Sequence, residues 1–184
     1  VIAVPPFESK YLQMGLAVHF RCQSPNASGM RIDVMTKMRN VDPFSQLWVR
    51  RTTMELDEVS VDLLALPDLV AAKKTQRDKD WPMIARLVES NYFANRDNPT
   101  SQQIEFWLQE LRTPSLLMEV AKRYPTECEE LTSHRPLLNV AVGNGQELLQ
   151  KELESEETAE READKLYWKP LRAELEQLRR EKRG

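Results

Sequence analysis

Met30-Arg31-Ile32-Asp33-Val34-Met35 places a carboxylate at the centre of an otherwise apolar, strand-like run. Upstream, Leu16-Ala17-Val18-His19-Phe20-Arg21-Cys22-Gln23 alternates in the same way and is rich in strand formers. The intervening Ser24-Pro25-Asn26-Ala27-Ser28-Gly29 has turn composition, so the two runs read as an antiparallel pair joined by a loop at 24–29. Working outward, Pro43 opens a helix marked by Phe44, Leu47, Trp48 and Arg51, and a third strand is expected at 59–64. Leu66-Pro67-Asp68-Leu69 then opens a helix in which Leu69, Val70 and Ala72 lead into the cationic Lys73-Lys74-Thr75-Gln76-Arg77. A further helix over 79–91 has Trp81, Ile84, Ala85, Leu87 and Val88 as its apolar face.

Beyond Asn98-Pro99 the pattern becomes helical throughout. Ser101 to Leu111 carries Ile104, Trp107, Leu108 and Leu111 at helical spacing, and Pro114 to Arg123 carries Leu117, Val120 and Ala121. Pro125, Pro136, Gly143 and Gly145 mark 125–145 as a loop region with one short helical turn. From 147 to 182 the chain is helical and highly charged, acidic first and basic at its end, which complements the helix dipole. Pro170 removes a backbone donor and is expected to kink or divide that helix. The reading is α+β: a partial mixed sheet with flanking helices over 1–95, a helical extension and loop over 96–145, and a long charged helix over 146–184.

Hydrophobic residues make up 41% of the 184, enough for a core, while a net charge of -3 gives no global footprint for nucleic acid or an anionic membrane. Any polyanion contact needs a local patch, of which the basic end of the terminal helix is one. No apolar run approaches the ~20 residues of a membrane-spanning helix, and Val1-Ile2-Ala3-Val4-Pro5-Pro6 lacks the basic start of a secretory signal. Cys22 and Cys128 lie in no metal-ligand spacing, which suits free thiols in a reducing, cytoplasmic compartment. The chain begins without Met, so its natural start is expected upstream.

Asp33 has two readings. It is either a metal-side carboxylate facing a cleft, as phosphoryl transfer requires, or one half of an ion pair with Arg31, Arg21 or a lysine. Lys73 and Arg77, four residues apart, share a helix face that suits phosphate, with Lys74 beside them. Alternatively Lys73 or Lys74 pairs with Asp33 or Asp80. Asp78-Lys79-Asp80 has the spacing of a two-carboxylate metal motif but lies between helices, which argues against that role. His19 and His134 have no ligand-spaced partners, and Gly143-Asn144-Gly145 falls short of a phosphate loop. Trp48, Trp81, Trp107 and Trp168 read as core. Ala159, Ala163, Leu166, Tyr167, Leu171, Leu175 and Leu178 form either a partner seam or the inner face of a helix laid on the domain.

Arg31-Ile32-Asp33-Val34-Met35, Phe44 to Arg51, the strand after it, Leu66-Pro67-Asp68-Leu69-Val70-Ala71-Ala72-Lys73-Lys74 and Arg77-Asp78-Lys79-Asp80 together resemble the later half of the minimal nucleotidyltransferase fold. That fold belongs to the DNA polymerase beta-like superfamily. The likeness runs over about residues 12 to 92 and is nearest to bacterial stand-alone, abortive-infection and toxin–antitoxin members. It implies Mg²⁺-dependent nucleotidyl transfer from an NTP to an unspecified acceptor, with Asp33 as the catalytic, metal-side carboxylate and Lys73, Lys74 and Arg77 holding phosphate. The family also needs an upstream Gly-Ser turn and an Asp-x-Asp or Asp-x-Glu pair, which this sequence does not contain. The resemblance therefore implies a chain inactive by itself, completed by a segment before it or by a partner. The alternative is a non-enzymatic interaction module, antitoxin-like or part of an assembly, acting through its helices.

Overall fold

The computed structural model describes residues 7–181, which divide into two units. The first runs to Ala72 and resumes at Asp164; the second is Lys73–Ala163. The chain is α+β, as its periodicities require. Among the described residues no helix is long and apolar enough to cross a membrane.

In the first unit, α1 (Ser9–Met14) ends at Gly15, whose φ of 90° lets its own N–H and that of Leu16 close back on the last turn. Next come β1 (Val18–Arg21), a 3₁₀ turn at Pro25–Ala27, β2 (Arg31–Val34), α2 (Phe44–Val49), β3 (Thr52–Leu56), β4 (Val59–Leu63) and α3 (Leu66–Lys73). The strands make two separate antiparallel pairs, β1 with β2 and β3 with β4, and not the single mixed sheet expected. The reason is local. Each strand is four or five residues long and meets its sequence neighbour across a short connection, whereas parallel pairing needs a long crossover. Strand β3, absent from the sequence reading, pairs with the expected β4 across Asp57-Glu58, where Asp57 takes a φ of 54° suited to a two-residue hairpin. Among the described residues of this unit, Leu16, Val18, Leu47 and Val70 are the buried apolar side chains. Arg50 ties the unit together by donating to Asp68 at 2.7 and 2.6 Å and to Asp42 at 2.7 Å.

The second unit is helical: α4 (Asp80–Asn95), α5 (Ser101–Glu110), α6 (Pro114–Arg123), α7 (Pro125–Leu131), α8 (Leu138–Ala141) and the first half of α9 (Gln146–Glu181). Helix α5 starts in a capping box between Thr100 and Gln103. Trp107 is fully buried, meets Tyr92 edge-on at 5.1 Å and donates its indole N–H to Asn91 at 2.8 Å. Burial and the hydrogen bond to Glu119 push the Tyr92 phenol up to about 12. The segment expected as loop with one short helical turn at 125–145 contains two helices, α7 and α8. Pro125 sits in the first turn of α7, where its missing N–H costs nothing, so it starts a helix rather than ending one. Pro170 likewise does not divide α9: it lies inside a continuous helix on an exposed stretch, where water can take the carbonyl it leaves unpaired.

Arg135 is buried and spends its donors on the carbonyls of Leu108 and Leu111, at 2.7 and 3.1 Å, where α5 ends. Its other bonds go to both oxygens of Glu156, at 3.0 and 2.9 Å, and Arg112 reaches Glu156 at 2.9 Å. Burial pushes the Glu156 carboxyl up, but the Arg135 hydrogen bonds and the charges of Arg135 and Arg112 outweigh it and hold it below its ordinary value.

Glu156→Gln is therefore expected to destabilise the protein by about 3 kcal/mol in urea unfolding, because two buried guanidinium groups lose their counter-charge. The depressed carboxyl adds stability above its unfolded value of about 4.3, and that stability is lost as pH falls through the folded value. Acid titration of stability should thus be flatter below about pH 4.5 in Glu156→Gln than in the parent.

Candidate functional site

Register decides what surrounds Asp33. In the β1–β2 pair Val18 faces Val34 and Phe20 faces Ile32, while His19 faces Asp33 and Arg21 faces Arg31. Period-two alternation thus gives this ribbon one apolar face and one polar face, and Asp33 lies on the polar one. Its Oδ1 stands 2.6 Å from both Arg31 Nε and His19 Nδ1. Of the ion-pair partners weighed from sequence Arg31 is the one taken, with His19 added across the strands. Arg31 Nη2 also approaches His19 Nδ1 at 2.9 Å, but that nitrogen cannot both donate to the carboxylate and accept from the guanidinium. The ionised carboxylate is the stronger acceptor, so the Nδ1 proton is assigned to Asp33. The Arg31 hydrogen bond first, then that of His19, holds the Asp33 carboxyl below its ordinary value, so it is ionised at neutral pH. It is also accessible, with 40% of the side chain exposed.

What Asp33 offers Mg²⁺ is one carboxylate between a guanidinium and an imidazole. By itself that set does not complete the near-octahedral oxygen shell of Mg²⁺, which takes one or two carboxylates together with substrate phosphates and waters. Among the described residues no group of three or more His, Cys, Asp or Glu side chains is gathered for a metal.

Lys73, Lys74 and Arg77 belong to the second unit, Asp33 to the first. Lys73 and Arg77 converge as the helical spacing suggested, but on Asp80. Arg77 Nε donates to Asp80 Oδ2 at 2.8 Å, Thr75 donates its hydroxyl to the same oxygen at 2.6 Å, and Lys73 Nζ lies 4.0 Å from Oδ1. Asp80 is 1% exposed and sits in the first turn of α4, where a negative charge is favoured by the helix dipole. Trp81 secures the turn by donating its indole N–H to the Thr75 carbonyl at 2.8 Å. Lys74 is drawn elsewhere, to Glu110 at 2.7 Å. Asp78 points outward to Arg161, so Asp78 and Asp80 do not share a site.

The aromatic residues bring two corrections: Trp168 is only half-buried, its indole N–H donating to Asp164 at 3.0 Å, and Trp48 is not core either. Trp81 and Trp107 are core, but Trp48 is 46% exposed on α2, tilted against the exposed Phe44 at 5.6 Å and covered by the Arg51 guanidinium at 4.0 Å. The sequence reading also missed β3, and with it the pairing of β3 and β4. Met54, Leu56, Val59, Val61 and Leu63 share one face of that ribbon, and Thr53, Glu55, Ser60 and Asp62 the other. The alternation of residues 52–56, followed by Asp57-Glu58, was the available signal.

Asp80→Asn is expected to cost about 2–3 kcal/mol in thermal or urea unfolding, since Lys73 and Arg77 lose a buried counter-charge. Arg77→Ala, removing a side chain that is 54% exposed, should cost less than about 1 kcal/mol. Equal losses would contradict this assignment of Asp80 as the anchor. Comparison of the chain with protein-family models, with curated proteins and with solved structures finds no match to any of them.

Proposed function

We propose that the chain is the nucleotide-handling part of a nucleotidyltransferase-like protein, with Asp33 as its contribution of negative charge to the reacting centre. The observation that carries this reading is that Asp33 is ionised, solvent-accessible and fixed at the middle of a strand pair by Arg31 and His19. The order of elements supports it too: a strand pair with a central carboxylate, α2, a second strand pair, then α3 running into a cationic turn. In this reading the exposed Arg77, with Lys73, exchanges Asp80 for phosphate oxygens, while the mostly buried Lys74–Glu110 pair holds the turn in shape. Magnesium-supported transfer from an NTP would require further oxygen ligands beside Asp33, since among the described residues no group of three or more His, Cys, Asp or Glu side chains is gathered.

A second reading is favoured by a different observation. Phe44, Trp48 and Val49 on α2, and Met54, Leu56, Val59 and Leu63 on the β3–β4 ribbon, are exposed large apolar side chains. Aromatic residues beside an arginine are the usual anchors of protein interfaces, so the same unit suits an interaction module that works without chemistry.

The two readings separate in calorimetric titration of Mg²⁺–NTP into the full-length gene product that contains these 184 residues. Under the first, binding is seen and Asp33→Asn weakens it about tenfold or more, the size expected for a lost charge-assisted contact, with unfolding shifted by less than about 0.5 kcal/mol. Unchanged affinity in Asp33→Asn assigns Asp33 to structure, and no nucleotide binding at all transfers the assignment to the interaction module.

A further inference from the structure

We propose that the outer edge of β3 pairs with β3 of a second copy of this chain, making a four-stranded antiparallel sheet across a two-fold axis at Met54. A two-stranded ribbon is marginal by itself, and β3–β4 is such a ribbon, every residue of β3 being exposed. Among the described residues, no backbone hydrogen bond runs from residues 52–56 to any element other than β4. Of the devices that blunt natural edges, β3 carries a single charge, Glu55, and neither proline nor lysine.

The pairing pattern states which groups are offered. Leu56 and Val59 close a two-residue turn and so form a hydrogen-bonded pair; by alternation Met54 with Val61 and Thr52 with Leu63 do the same. The N–H and C=O groups of Thr53 and Glu55 therefore point away from β4. In an antiparallel pair centred on Met54, Thr53 exchanges both bonds with Glu55 of the second copy, and Thr52 lies opposite Leu56. No like charges oppose each other. Centring on Glu55 would set that carboxylate against itself, and centring on Thr53 would carry the pairing to Arg50 and Arg51, outside the strand, where Arg50 closes α2. Met54 is the centre that pairs all five residues of β3 with β3 of the second copy.

Met54 would then form a non-hydrogen-bonded pair with its own copy, at a Cα separation of about 4.5 Å, close enough for a disulfide. The test is oxidative cross-linking of Met54→Cys in a Cys22→Ser background, beside Val61→Cys as the inner-strand control, with sedimentation velocity of the parent chain at roughly 100 μM. A dimer is expected, with a covalent dimer from Met54→Cys and not from Val61→Cys. Glu55→Pro removes an outward N–H and leaves the β4 ladder intact, so it should abolish the dimer while retaining the far-UV circular dichroism of the parent. A parent monomeric at that concentration overturns the proposal, as does a dimer that survives Glu55→Pro or cross-links equally at Val61. A monomer that instead captures a foreign alternating peptide at this edge also overturns it, giving the edge to another protein.

Discussion

One buried guanidinium organises the helical unit. The last carbonyls of α5 have no following turn to satisfy them, and Arg135 donates to two of them while Glu156 neutralises its charge. The fully buried Leu108, Leu111, Leu138 and Leu149 lie on the same elements, so a polar requirement of one helix end and the apolar core are met together. An arrangement of this kind gives geometric definition more than net energy, because two ions leave water to form it. Arg50 has the corresponding place in the first unit. It joins the buried Asp68 at the start of α3 to Asp42 ahead of α2.

The same economy governs the residues that suggested chemistry. Asp33, Lys73, Lys74 and Arg77 each have an intramolecular partner of opposite charge. They differ in how firmly they are held. Asp80 and the Lys74–Glu110 pair are withdrawn from solvent, whereas Asp33 and Arg77 stay at the surface. A phosphate or a cation competing for the exposed groups meets screened, weakly worth pairs; one competing for the buried groups would have to unpack a helix start. Geometry thus ranks the candidates where charge alone could not.

Much of the architecture was legible. The strand pair around Asp33, the helix at Pro114–Arg123 and the long terminal helix follow from period-two and period-3.6 patterning and from prolines at helix starts. The failures have physical causes. Pro125 and Pro136 read as breakers because a proline looks the same whether it precedes a helix or interrupts one; the next turn's packing, with Cys128 buried, decides. Trp48 read as core because its helical spacing matches Leu47, yet only Leu47 faces inward on a helix of six residues. Asp33 looked like an intrusion into an apolar strand because the facing residue, His19, is fourteen positions away.

By itself the sequence determined β1, β2, β4 and the helices from α2 to α6 and α9, since alternation, caps and turn residues act within a few positions. It also determined that the β1–β2 ribbon has a polar and an apolar face. Only the tertiary structure decided that the β1–β2 and β3–β4 ribbons stay separate, that Asp80 gathers Lys73 and Arg77 while Lys74 turns to Glu110, and which aromatics are covered. The partner of a long charged side chain is whichever opposite charge lies within a few ångströms after folding, and burial sets how strongly the two hold. Neither quantity is written in the spacing of the residues that carry the charge.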